Sequence, residues 1–220
     1  MGTKTGFLGI DLTSTEARPS ACLGLDRELR LIYCGFLNRD SDILRAVSYY
    51  QFELITIDAP LSLPKGLCCL EETCSCQPEA SGKSRYCERE LRKQGITVFP
   101  TTKKTFIKDL IYRGIRLRTE LESMGYEVIE VYPYASKIRL FDKNLTAKTK
   151  PAGAAFLKQH ISQLLPDIAP CIAQFNHHLC DATIAAYTAF LYLQGRTELI
   201  GDTEEGAIHL PLVDNPVRAD

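Results

Sequence analysis

The chain has 220 residues, 45% of them apolar and 24% charged, with a formal net charge of −1. Those values are ordinary for a globular domain and exclude a disordered, collagen-like or coiled-coil chain. No run reaches the roughly 18 apolar residues of a membrane span, and the opening MGTKTGFLGID has neither the apolar stretch nor the cleavage site of a signal peptide. A cytoplasmic protein without membrane contact is therefore expected. Its nine cysteines are then reduced or metal-bound rather than paired, unless the host is a hyperthermophile.

Phe7 to Leu12 reads as an apolar strand carrying Asp11 near its end. Ser20 to Leu25 and Leu29 to Phe36 follow as short strands around an Asp26-Arg27-Glu28 turn. Ser41 to Tyr50 reads as a helix, and Leu54 to Asp58 as a β-branched strand stopped at Pro60. Gly66 to Ser84 is irregular and rich in Cys, Gly, Ser and Glu. Helices are predicted over 85–93 and 105–124, the second stopped by Gly125. Glu127 to Val131 is a strand closed by Pro133. Two more helices, 152–165 and 177–193, precede a hairpin over 199–210 that turns at Glu204-Glu205-Gly206. An antiparallel meander followed by strand–helix alternation predicts an α/β fold, a mixed sheet with helices on both faces. The expected organisation is one domain over 1–220, with an insertion at 64–105 that holds the Cys-rich loop and a basic helix.

The charge is unevenly spread. Lys83 to Arg118 carries +8 and Lys137 to Lys158 carries +5, which leaves −14 for the remainder. Two basic segments on a neutral chain form either a phosphate footprint or solvated helix faces.

Asp11, Asp58 and Glu130 each end or nearly end an apolar strand, and Asp181 lies early in the last long helix. A carboxylate in a core strand is unfavourable unless paired or metal-bound. Acids at one edge of a sheet can converge, and clustered hard oxygens suit Mg²⁺ or Mn²⁺. Two such ions activate water and stabilise a leaving oxygen in phosphodiester cleavage. Taken singly, Asp58 could cap a turn and Asp181 could cap its helix.

The sequence resembles domain-of-unknown-function family 429, predicted nucleases of the ribonuclease-H-like superfamily. The resemblance rests on Gly9-Ile10-Asp11, Ile57-Asp58-Ala59-Pro60, Arg85-Tyr-Cys-Glu-Arg-Glu-Leu-Arg92 with Gly95-Ile96 and Phe99-Pro100, Gly125 to Pro133, and Asp181 to Ala186. These blocks run in family order over roughly residues 6 to 210. The resemblance implies a ribonuclease-H-like sheet of five strands in the order 3-2-1-4-5. It also implies metal-binding acids at Asp11, Glu130 and Asp181, with Asp58 as an added family carboxylate. The family commonly carries Asp where this chain has Glu88, so the acid is kept on a longer side chain.

On a helix, Arg85, Arg89 and Arg92 share one face. With Lys137 they form the candidate substrate-binding set. The three arginines either contact phosphates or pair with Glu88 and the acidic cluster. Cys68, Cys69, Cys74, Cys76 and Cys87 fall within twenty residues. Four of them could hold Zn²⁺, or an iron–sulfur cluster, with free thiols and disulfides as alternatives. Cys87 could instead belong to the helix motif. Cys22, Cys34, Cys171 and Cys180 read as small buried residues, and His160 and His209 as surface residues. His177 and His178 form a helix first turn or, beside a metal site, a proton shuttle. No Gly-rich phosphate loop is present.

The expected activity is divalent-metal-dependent nuclease chemistry on a carboxylate cluster, with nucleic acid as partner and two Mg²⁺ or Mn²⁺ ions. The alternative is a non-catalytic nucleic-acid-binding or scaffold module on the same fold. A phosphotransferase of the related actin-like fold is disfavoured, because the chain is too short for two such domains and lacks a second phosphate loop.

Overall fold

The computed structural model describes residues 5–79, 83–141, 150–202 and 204–212. Seven strands form one sheet: β1 (Phe7–Asp11), β2 (Ser20–Leu25), β3 (Leu31–Leu37), β4 (Leu54–Asp58), β5 (Glu127–Val131), β6 (Thr197–Asp202) and β7 (Gly206–Pro211), in the order β3-β2-β1-β4-β5-β7-β6. β2 runs antiparallel to β1 and β3, while β4 is parallel to β1 and β5 is parallel to β4. The first five strands thus take the ribonuclease-H-like order 3-2-1-4-5. The sheet has seven strands rather than five because the terminal hairpin joins its edge, with β7 parallel to β5.

Among the described residues six α-helices accompany the sheet: α1 (Asp40–Tyr50), α2 (Tyr86–Lys93), α3 (Lys108–Ser123), α4 (Pro133–Phe141), α5 (Pro151–Leu164) and α6 (His177–Leu193). α4 starts at the proline that the sequence marked only as a strand stop. Proline fits the first turn of a helix, where its missing N–H has no partner to lose.

Strand alternation divides the core. Leu8, Ile10, Ile55 and Ile57 pack with Ile43 and Val47 of α1 and Leu117 and Leu121 of α3. Phe7 and Leu54 pack on the opposite face with α5 and the alanine-rich surface of α6. A third, smaller cluster joins Cys87 and Leu91 of α2 with Ala135 of α4 and Ile200, Ile208 and Leu210 of the hairpin.

α6 lies directly on β1. A Cβ on Gly9 would stand 2.1 Å from the Ala182 carbonyl oxygen and 2.3 Å from the Ala186 nitrogen. Only glycine permits that approach, and the approach brings the start of α6 to the end of β1. The side chain of Asn176 caps α6 by accepting from the Leu179 N–H at 3.0 Å. Asp181 therefore does not serve as the cap.

Arg113, only 1% exposed, ties α3 to the segments that follow β1 and β3. Its guanidinium donates to Asp40 Oδ1 at 2.8 Å, to the Thr13 carbonyl at 2.9 Å and to the Asn38 carbonyl at 3.0 Å. Part of the +8 segment is thus spent inside the molecule, not on a surface. Among the described residues no helix is long and apolar enough to cross a membrane.

Candidate active site

β1 and β4 pair in parallel register with Asp11 opposite Asp58. In-register neighbours on parallel strands project from the same face. Phe7 and Leu54, an even number of residues earlier on each strand, pack on the α6 side, so both carboxylates project toward α6. The α6 contact on Gly9 adds Asp181 to them. All three line a cavity of about 380 Å³ at the end of the sheet, together with Glu130, Arg85, Tyr132 and Phe99.

Each acid has its own surroundings. Asp11 Oδ2 lies 2.6 Å from His178 Nδ1; with the carboxylate ionised, that ring nitrogen is the donor. His178 stands three residues before Asp181, one helical turn along α6, a spacing that puts both on one face of the helix. Asp181 Oδ1 accepts from Lys137 Nζ at 2.6 Å, and both side chains are almost wholly buried. Lys137 comes from α4, so the helix missing from the sequence prediction supplies a cation of the site. Asp58 faces Tyr132, whose phenol is pushed up by burial and then by the Asp58 and Asp181 charges.

Glu130 differs. Ile129 and Val131 belong to the α6-side cluster and Val128 to the other one, so Glu130 leaves its strand on the opposite face. Its two oxygens accept from Arg85 Nη1 and Nη2, each at 2.7 Å, and Oε2 also accepts from the Leu61 N–H at 2.8 Å. Arg85 Nε reaches Glu88 Oε1 at 2.9 Å. Glu88 accepts in addition from the Thr101 N–H at 2.8 Å and the Thr101 hydroxyl at 2.5 Å. Burial works against the Arg85 charge, but the Glu130 carboxylate overrides it and holds the guanidinium firmly protonated.

This network takes Arg85 out of the phosphate-facing set: the guanidinium is 1% exposed. Arg89 is half-buried and donates to the Ser84 carbonyl, while exposed Arg92 donates to the Val98 carbonyl at 3.2 Å. Pairing with the acids, not contact with phosphate, is what the structure shows for the first of the three arginines. Glu205 also went unnoticed in the sequence beyond its turn. Its carboxylate accepts the Lys65 N–H at 3.0 Å and the Tyr86 N–H at the start of α2.

The cysteine set is four rather than five. Cys68, Cys69, Cys74 and Cys76 converge, whereas Cys87 is buried in the third core cluster, where burial pushes its thiol up to about 12. Hydrogen bonding to the backbone of Cys69 and then of Cys68 holds the Cys76 thiol down at about 6. Cys34 is exposed on the edge strand β3, not buried. His209 is half-buried against Tyr192, not a surface residue, and its Nδ1 has no hydrogen-bond partner.

The profile described as "Protein of unknown function (DUF429)" matches residues 9–206. The chain belongs to this family. The DUF429 match spans β1 to the start of β7 and so contains all four acids of the cavity. No curated protein matches the chain. Among solved structures the chain is similar to Thermus thermophilus RuvC, at 13% identity and a TM-score of 0.45, with 86% of this chain and 96% of that one covered.

Proposed function

We propose that this protein is a divalent-metal-dependent nuclease in which Asp11, Asp58 and Asp181 hold a hard cation, Mg²⁺ or Mn²⁺, at the end of the sheet. The observation that carries this reading is the in-register pair Asp11–Asp58 on the face where α6 delivers Asp181, all three opening on one cavity. The donors are all carboxylate oxygens, which select hard ions. A bound ion of this kind would polarise a phosphodiester and make a water molecule a better nucleophile.

The protein's own groups have distinct parts. His178 orients Asp11 through Oδ2. Lys137 donates to Asp181 behind the cavity wall and would hold that carboxylate in place toward a bound ion. Arg85 and Glu130 neutralise each other and brace the wall. Glu130 is committed to Arg85 and Asp181 is shared with Lys137, and the oxygens of Asp11, Asp58 and Asp181 do not already stand in one coordination shell, so a bound ion would draw those three carboxylates together. A second ion requires one of those cations to move. The rim suits nucleic acid. Phe99 and Tyr134 line the cavity yet are 53% and 42% exposed, and exposed Phe106 packs edge-on against Phe99 at 4.9 Å. Unstacked bases bind such rings with about 1–3 kcal/mol each, so single-stranded or splayed nucleotides are the expected substrates.

The same two ion pairs favour a second reading, a non-catalytic nucleic-acid-binding module whose internal cations stand where metal would. Thermal melts with and without Mn²⁺ separate the two, run beside cleavage assays on single-stranded, duplex and branched substrates. At one hundred times its Kd, Mn²⁺ should raise the wild-type Tm by about 5–10 °C. Asp11→Asn and Asp58→Asn should lose that shift along with cleavage. A wild type that Mn²⁺ does not shift, with Asp11→Asn melting several degrees lower in both conditions, would favour the binding module.

A further inference from the structure

The loop between β4 and α2 has almost no core of its own. Over residues 65–79 only Leu70 is buried, and no helix or strand forms there. A segment of this kind needs a staple to hold one conformation. Four thiols lie at its centre. The sulfurs of Cys68, Cys69, Cys74 and Cys76 all fall within 4.8 Å of one another, and those of Cys68 and Cys74 are 3.6 Å apart.

That spacing discriminates among the options. Four thiolates at the Zn–S distance of about 2.3 Å, at tetrahedral corners, stand about 3.8 Å from each other. A disulfide brings two sulfurs to about 2.05 Å and gives each a single close neighbour; here every sulfur has three. A four-iron cluster binds each thiolate to a different iron at the corners of a cube and so spreads the sulfurs wider than this shell. The surroundings suit a site with net negative charge. Lys103 donates to the Cys74 carbonyl, and Lys108 lies 3.2 Å from Glu71.

We propose that Cys68, Cys69, Cys74 and Cys76 hold one structural zinc ion. Four thiolates around one dication leave a net charge of −2, and the thiols release their protons to solvent as the metal enters. The ion fixes the loop's conformation, and α3 anchors the fixed loop. Tyr112 on α3 accepts from the Leu70 N–H at 2.7 Å and donates to Glu71 Oε1 at 3.1 Å. Ile107 and Leu110, at the start of the same helix, wall the carboxylate cavity. The clip thus steadies one side of that cavity while sharing no ligand with it, and it stands whether or not the cavity cleaves nucleic acid.

The test is metal analysis of the full chain, purified under reducing conditions without chelator. One zinc per chain is expected, falling at least tenfold in Cys74→Ser and in Cys76→Ser but unchanged in Cys34→Ser, whose thiol lies on β3. Should the cluster variants fail to fold, wild-type protein stripped and refilled with Co²⁺ should show the visible bands of a tetrahedral cobalt–thiolate centre. A zinc-free wild type that gives no such bands would overturn the proposal. So would stoichiometric iron in place of zinc, or a mass two hydrogens lower per disulfide under non-reducing conditions. Mn²⁺ binding at the carboxylates is read separately, because those ligands contain no sulfur.

Discussion

Asp58 ends β4, and Glu130 stands one residue before the end of β5, on neighbouring parallel strands of one sheet. Both follow β-branched apolar residues and both line the same cavity. Yet Glu130 pairs in register with Ile57, not with Asp58. One residue of phase moves a side chain to the other face of a strand. Asp58 thereby joins Asp11 and Asp181, and Glu130 meets Arg85. The two regions show that an acid at a strand end acquires its role from its phase relative to the neighbouring strand. One side of the cavity presents three carboxylates, with Lys137 on Asp181 and His178 on Asp11. The other saturates its carboxylates with a guanidinium, two backbone N–H groups and a hydroxyl.

The sharpest way to break this comparison is to remove Arg85. Arg85→Met leaves Glu130 and Glu88 buried without their cation, and a broken buried pair destabilises by about 3–5 kcal/mol. Urea unfolding should show that loss. Asp58→Asn, by contrast, should leave metal-free stability unchanged or slightly raised, because clustered carboxylates repel one another. Equal losses in the two variants would mean that both regions are structural. A negligible loss in Arg85→Met would return Glu130 to the list of metal ligands.

A smaller effect is expected at Lys137, whose partner Asp181 borders the cavity and can take another cation. Lys137→Met should lose about 1–3 kcal/mol in metal-free protein, and saturating Mn²⁺ should restore most of it. Such recovery is expected on the three-acid side alone: Arg85→Met keeps the three acids and should gain from Mn²⁺ only what the wild type gains, with no rescue of its own loss. If Mn²⁺ rescues neither variant, the cavity does not hold a divalent ion.

The smallest effect concerns His209, in register with Val131 on β7. Burial lowers its pKa, so the folded protein prefers the neutral ring while the unfolded chain takes up a proton near pH 6.5. Its contribution is fully present above about pH 6.5 and declines as pH falls toward the lowered folded value. Between pH 7.5 and 5.5 the wild type should therefore lose more Tm than His209→Gln does. Equal acid losses in the two proteins would show that His209 does not titrate in that window.

Much of the scaffold was legible in the chain. The apolar runs at 7–12 and 54–58, the two short strands between them, and the alanine-rich stretch after Asp181 each carry a local period or composition that only one element satisfies. The terminal hairpin was legible too, because Glu204-Glu205-Gly206 turns it locally. Its place beside β5 was not, since parallel pairing of β7 depends on which sheet edge remains open after the helices are laid down. α4 escaped because Pro133 reads equally as a strand stop and as a helix start.

The candidate site divides the same way. Residue type and position brought Asp11, Asp58 and Glu130 at strand ends and Asp181 early in a helix to attention from sequence alone, and cysteine spacing did the same for the cluster at 68–87. Local patterns specify elements and their chemistry because they act over a few residues. Tertiary structure alone decided that Arg85 crosses 45 residues of chain to reach Glu130 and Lys137 crosses 44 to reach Asp181. It also separated Cys87 from the other four thiols. Contacts between distant segments are set by register, by helix docking on Gly9 and by which face each strand turns to the core, and none of these is encoded in a short window of sequence.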